Sequence, residues 1–106
     1  MPTFEDREKE FEARFKHDQE LRFKVTERRN RLAGLWAAER MGLSGEAAEA
    51  YAKSVVEAEF GKGGDKAVVA KLVADLAAKG HGTTAAQVVF ELDHFAETAK
   101  QQVMSE

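Results

Sequence analysis

The sequence predicts an all-α protein: a four-helix bundle with a long first helix and a mobile N-terminal segment. Three observations support this. Among the 106 residues the single proline is Pro2, so no obligatory helix breaker follows it. Apolar residues recur at helical spacing, and no stretch alternates with the period of two that is typical of strands. Glycine-containing breaks, each followed by a capping residue, divide the chain into four segments.

The first segment carries two apolar stripes and is the longest. Thr3 can cap its start, and Gly42 is suited to a left-handed C-terminal cap. One stripe consists of Phe4, Phe11 and Phe15, and the other of Leu21, Val25, Leu32 and Trp36. On an ideal helix the stripes are rotated from each other by roughly half a right angle or more. The phenylalanine stripe therefore need not pack on the same surface as the second stripe.

Three shorter segments follow, each with a predicted cap and inward face. Ser44 is expected to cap the second, Gly64 or Asp65 to begin the third, and Thr83 or Thr84 to cap the fourth. The predicted inward residues of the second are Tyr51, Val55 and Ala58, widened by Ala52, Val56 and Phe60; those of the third are Val69, Leu72, Val73 and Leu76; those of the fourth are Val88, Leu92, Phe95, Ala99 and Val103.

Short connections between four amphipathic helices predict a bundle over residues 18–106, with Trp36 and Tyr51 in its core. Residues 1–17 are dense in charge and hold three phenylalanines. We expect them to project as a mobile segment that folds on a partner. The alternative is that the phenylalanines form an ordinary core stripe on helix 1.

Composition excludes several classes of protein. There is no cysteine, which rules out disulfides, thiolate catalysis and cysteine-based zinc sites. The net charge of −3 disfavours nucleic-acid binding. No apolar run approaches the roughly 18 residues that span a bilayer, and the charged N-terminus is unlike a signal peptide. We expect a cytoplasmic protein without direct membrane insertion.

The turn at residues 61–66 is a candidate anion or nucleotide site. Lys62, Gly63, Gly64 and Lys66 precede a helix, whose amides favour negative charge. The turn lacks the phosphate-binding loop spacing, and no strand precedes it. A plain interhelical turn is favoured, with weak nucleotide or anion contact as the alternative.

Signs of catalysis are weak. Glu91 and His94 have the spacing at which one helix offers two metal ligands, but no second such motif accompanies them. We therefore expect a solvated His94 and no metal site, cofactor or enzymatic activity. Arg28, Arg29 and Arg31 form a basic cluster, which we expect to contact the acidic helices of the same protein, with phosphate or an acidic partner as alternatives.

A series of short motifs, taken in their order along the chain, resembles the zeta subunit family of the alphaproteobacterial F-type ATP synthase. The resemblance is dense over residues 3–60 and looser beyond. It rests on Thr3-Phe4-Glu5-Asp6-Arg7-Glu8, Phe15, His17-Asp18-Gln19-Glu20, Phe23-Lys24, Arg28-Arg29-Asn30-Arg31-Leu32, Gly34-Leu35-Trp36-Ala37-Ala38, Met41-Gly42-Leu43-Ser44-Gly45, Ala50-Tyr51-Ala52 and Val55-Val56. Pro2 and Phe11 depart from the family pattern and put inhibitory potency in doubt.

The resemblance implies a four-helix inhibitor of ATP hydrolysis. We expect the free protein to be a monomer, with self-association through the phenylalanines as the alternative. Its N-terminal segment would enter the interface of the catalytic α and β subunits, touch the γ rotor and stop rotation. The protein would then lie at the inner membrane through the ATP synthase. From the stripe and the charges we expect Phe4, Arg7, Phe11, Arg14 and Phe15 to make the inhibitory contacts. The alternatives are a module sensing an anionic ligand or adenine nucleotide, an unrelated helical adaptor, and a family member with weak or lost inhibition.

Overall fold

The computed structural model describes the backbone of residues 4–106 and the side chains of residues 17–106. Four helices make up this part of the chain: α1 (Phe4–Arg40), α2 (Gly45–Ala58), α3 (Asp65–Ala78) and α4 (Ala85–Met104). No strand occurs between residues 4 and 106. The prediction of an all-α bundle with a long first helix is confirmed. The predicted mobility concerns residues 1–17, and the side chains of residues 1–16 lie outside the described part of the structure.

Glycine and threonine define two of the helix ends as predicted. Gly42 has a φ of 79° after the end of α1, and the next amide, that of Leu43, donates to the carbonyl oxygen of Ala38 at 2.8 Å. At α4, Thr84 and Gln87 form a reciprocal capping box. The expectation for Ser44 is wrong in part. It precedes α2, but its side chain makes no capping hydrogen bond.

In the bundle, α1 packs mainly on α2 and α4, and α3 closes the opposite side. The core combines small residues of α1 with branched residues of the other helices. Its members are Ala33, Ala37, Val55, Val68, Leu72, Leu76, Val88 and Leu92. The inward faces predicted for α3 and α4 are largely confirmed, although Val68 is buried in place of the half-buried Val69 and Val73.

The phenylalanine predicted to widen the inward face of α2 is exposed. Phe60 is 62 % accessible because α2 ends at Ala58, and helical spacing does not extend into the following turn. Tyr51 and Trp36, which we expected in the core, are half-buried. The hydroxyl of Tyr51 donates to Asp75 at 2.8 Å. A tyrosine at the edge of the core can thus keep its polar end satisfied.

Helix α1 meets α2 through small residues. The predicted stripe of Leu21, Val25, Leu32 and Trp36 is only half-buried, whereas the fully covered residues of α1 are Asn30, Ala33, Gly34, Ala37 and Ala38. At Gly34 a Cβ atom would lie 2.7 Å from the Cα of Ala52. Such a distance is too short for a real contact, so only glycine permits this approach of the two helices.

Candidate functional site

The end of the bundle from which α1 continues toward its N-terminus is the part nearest the predicted inhibitory segment. Residues 17–20 are all exposed, and Leu21 is the first residue of the described side chains to be half-buried. The C-terminal ends of α2 and α4 lie beside this part of α1, since Phe60 contacts Phe23 and Glu106 pairs with Arg28. Among the described side chains, contacts within the bundle therefore begin at about residue 21.

The basic cluster on α1 binds acidic residues of the same chain, as predicted. Arg28 pairs with Glu106 and donates to Gln102 at 3.0 Å, which joins α1 to the end of α4. Arg31 pairs with Glu49 of α2 at 2.8 Å. Both pairs are largely exposed, and such pairs contribute little to stability. They favour one orientation of the helices rather than a binding site for phosphate.

The third arginine of the cluster belongs to a more buried network. Arg29 donates to Asp65 at 2.7 Å and to Glu59 at 3.3 Å. Between the helices Asn30 is fully buried; its amide donates to Glu59 at 3.0 Å, and its oxygen accepts from Arg29 at 3.0 Å. This network joins α1 to the turn between α2 and α3. Among the described side chains no buried nitrogen or oxygen lacks a hydrogen-bond partner.

The two carboxyl groups of the network have opposite pKa shifts. Burial raises the pKa of Glu59, and the neighbouring carboxyl group of Asp65 raises it further, against the opposing effects of Asn30 and Arg29. The hydrogen bond from Arg29 lowers the pKa of Asp65, and the neighbouring carboxyl group of Glu59 acts in the same direction. Of the two carboxyl groups, Asp65 thus ionises more readily and Glu59 less readily than usual.

The turn predicted as an anion site lies next to this network. Gly63 and Gly64 have positive φ values of 104° and 50°, and Gly64 precedes the first residue of α3. The amide of Lys66 already donates to the carbonyl oxygen of Gly63 at 3.0 Å. Lys62 and Lys66 are exposed. Because Glu59 and Asp65 place two carboxyl groups beside the turn, the local charge is less favourable to an anion than the lysines suggest. Weak nucleotide or anion contact stays a prediction.

The residues predicted to inhibit lie outside the described side chains. This applies to Phe4, Arg7, Phe11, Arg14 and Phe15, so their contacts also stay a prediction. Sequence reasoning missed a neighbouring pair, Phe23 and Phe60, whose ring centroids are 5.5 Å apart while both side chains remain exposed. One signal was available: Phe23 belongs to neither of the apolar stripes of α1.

Comparison with known families decides the assignment. A family model described as ATPase inhibitor subunit zeta matches residues 1–102, which include the predicted inhibitory segment and nearly all of the bundle. The chain belongs to this family. No curated protein matches the sequence. Membership in the zeta family confirms the resemblance found in the sequence and supports an inhibitory role toward an ATPase. No helix in the described part of this zeta-family chain is long and apolar enough to cross a bilayer.

Proposed function

We propose that this chain inhibits ATP hydrolysis by an F-type ATP synthase, with residues 1–17 as the inhibitory segment. The observation that carries the proposal is the family match over residues 1–102. Its partners would be the α, β and γ subunits of the catalytic head. In this role the chain acts by binding, so it needs no catalytic residue and no cofactor, and it is held at the inner membrane by its partner.

The arrangement of the chain supports separate roles for its two parts, in which residues 1–17 inhibit and the bundle holds α1 in position. Within residues 17–106, whose side chains the structure describes, the contacts that hold the bundle together begin at about residue 21. In residues 1–17, the three phenylalanines recur at helical spacing and are separated by mostly charged residues. Aromatic anchors surrounded by charges are typical of helices that bind in a groove.

The mechanism we propose is insertion of the segment as a helix into the open interface between catalytic α and β subunits. Phe4, Phe11 and Phe15 would be buried there, and Arg7 and Arg14 would meet carboxylates at the rim. Rotation in the direction of hydrolysis narrows the interface and traps the helix. The bundle remains outside, where its polar and close-packed contacts keep α1 oriented.

The test is ATP hydrolysis by the isolated catalytic head, stripped of its own inhibitor. The full chain is compared with a variant carrying Phe4→Ala, Phe11→Ala and Phe15→Ala. We expect the triple variant to need at least roughly a hundredfold more protein for half-maximal inhibition, because truncating each buried aromatic anchor costs about 1 kcal/mol or more, or about 3 kcal/mol for the three together. Its thermal melting should remain close to that of the unchanged chain.

The control is Val89→Ala with Phe90→Ala, which removes exposed apolar surface from α4 and should leave inhibition unchanged. Absence of inhibition and of binding by the full chain would overturn the proposal. A large drop in melting temperature in the triple variant would show instead that the phenylalanines belong to the core. Binding without inhibition would identify a family member whose inhibitory function is lost.

A further inference from the structure

A groove of about 330 Å³ lies between α1 and the C-terminal end of α2. It is lined by Phe23, Thr26, Asn30, Val56, Glu59 and Phe60, together with the charged residues Arg22 and Glu27 at its rim. The exposed residues 17–20 lie just N-terminal to it on α1, and His17 is the last residue of the proposed inhibitory segment.

The walls of the groove are aromatic and largely open to water. Phe23 is 51 % accessible and Phe60 is 62 % accessible, although their rings contact each other. Neither residue belongs to the hydrophobic core of the bundle. Exposed aromatic side chains are enriched in protein interfaces, where burying them provides much of the binding energy.

The groove is mainly apolar, and the two polar side chains at its floor, Asn30 and Glu59, are hydrogen-bonded within the chain. The amide of Asn30 donates to Glu59, and its oxygen accepts from Arg29. An occupant therefore has no need to supply a hydrogen bond to the floor, and an apolar side chain fits the groove without leaving these groups unpaired.

The position of the groove identifies what covers it. His17 and Phe23 are six residues apart on α1, which corresponds to about 9 Å along a helix. If residues 1–17 are inserted in a partner, the surface around the opening lies within reach of Phe23 and Phe60. The same partner is thus held against the groove by the geometry of a continuous helix.

We propose that the groove between Phe23 and Phe60 is a second docking point for the ATPase head and receives an apolar side chain of that partner beside the opening that takes residues 1–17. This inference rests on the function proposed above. The groove sets how long the inhibitor stays bound, and the N-terminal segment stops the rotation. Loss of the groove therefore weakens binding and leaves full inhibition attainable at saturation.

The test uses the full chain with Phe60→Ser, Phe23→Ser, or both. Phe60 lies outside the helices and Phe23 is half exposed, so both substitutions are compatible with the fold. We expect each to raise the half-inhibitory concentration by roughly tenfold through faster dissociation, with unchanged maximal inhibition. The matched control is Phe90→Ser. That side chain is 71 % accessible and lies beside Trp36 and Arg40, toward the opposite end of α1.

The outcomes separate this inference from the proposed function. If the unchanged chain neither binds nor inhibits, the proposed function fails. If it inhibits and the serine variants inhibit equally well, the second docking point alone is wrong. A second copy of this chain is the alternative occupant of the groove, and sedimentation of the free protein tests for it. A dimer that Phe60→Ser converts to a monomer would mean that the second copy covers the groove, and it would overturn the inference. Equal loss in Phe90→Ser would also overturn it.

Discussion

Two neighbouring stretches of α1 hold the bundle together by different physical means. Residues 33–38, here called the close-packed seam, meet the other helices through alanine and glycine. Residues 28–31, called the polar seam, meet them through three arginines and one buried asparagine. The close-packed seam depends on shape, which tolerates no added volume. The polar seam depends on paired charges, whose contribution varies with burial and with pH.

Helix α1 can both pack in the bundle and carry the proposed inhibitory segment, because its two seams lie at different distances from its N-terminal end. The polar seam lies nearer to the N-terminal end of α1 and connects it to the ends of α2 and α4 and to the start of α3. The close-packed seam lies farther from that end. If an inhibitory segment is pulled by its partner, the load reaches the polar seam first. The close-packed seam then keeps α1 in the bundle.

The largest expected effect comes from Gly34→Leu in the close-packed seam. Even a single Cβ atom at Gly34 would lie 2.7 Å from the backbone of Ala52, so the whole leucine side chain has no space between α1 and α2. We expect a loss of about 3 kcal/mol or more in the free energy of unfolding, measured by urea denaturation. Ala47→Leu adds similar volume on the exposed side of α2 and should change it by less than about 0.5 kcal/mol. A stable Gly34→Leu protein would show that the helices can separate freely.

The second effect in size comes from Asn30→Ala in the polar seam. The fully buried amide donates to Glu59 at 3.0 Å, and removing it deprives a half-buried carboxyl group of a donor. We expect a loss of about 1–3 kcal/mol in the same denaturation experiment. A change below about 0.5 kcal/mol would mean that water replaces the amide. The buried asparagine of the polar seam would then contribute little to the free energy of unfolding.

The two seams differ in how much of them the sequence predicted. The intramolecular contacts of Arg28, Arg29 and Arg31 were predicted, because a basic cluster faced acidic helices in the same chain. The burial of Asn30 was not, since a polar residue among three arginines resembles a solvated face. Its spacing to Ala33 and Ala37 carried the signal, because all three lie near one face of a helix.

Large apolar residues misled the prediction of the α1 face. The predicted stripe included Leu32 and Trp36, yet these side chains are only half-buried. Small residues permit the closest approach of two helices. Which face of α1 packs most closely therefore depends also on the surface of the partner helix, and the periodicity of α1 alone does not predict it. Phe60 was misplaced for a related reason, since the end of α2 determines which residues helical spacing can reach. The predicted inhibitory residues stay a prediction.

A smaller effect separates two arginines of the polar seam. The side chain of Arg29 is 14 % accessible and bonds two carboxyl groups, whereas that of Arg31 is 46 % accessible and pairs with one. We expect Arg29→Ala to lower the free energy of unfolding by about 1–2 kcal/mol and Arg31→Ala by less than about 0.5 kcal/mol. Added salt should weaken the Arg31 pair more strongly. Equal losses in the two variants would contradict the role assigned to burial.

The smallest expected effect is the pH dependence of Glu59→Gln. Burial and Asp65 raise the pKa of Glu59 in the folded state. The stability that protonated Glu59 contributes is therefore fully present below the ordinary glutamate pKa of about 4.3 and is lost as pH rises through the raised value. Glutamine does not titrate. Relative to the unchanged chain, the variant should gain stability toward neutral pH, by less than about 1 kcal/mol.

Asp65 provides the opposite sign and therefore the cross-check. Arg29 lowers the pKa of Asp65, so the stability from this pair is present above the ordinary aspartate pKa and is lost as pH falls through the lowered value. In Asp65→Asn the neighbour that raises the pKa of Glu59 is weakened, and the pKa of Glu59, followed by carboxyl NMR, should fall. If it does not, burial and not Asp65 raises the pKa of Glu59. The contacts of the polar seam with Glu59 and with Asp65 would then respond to pH independently of each other.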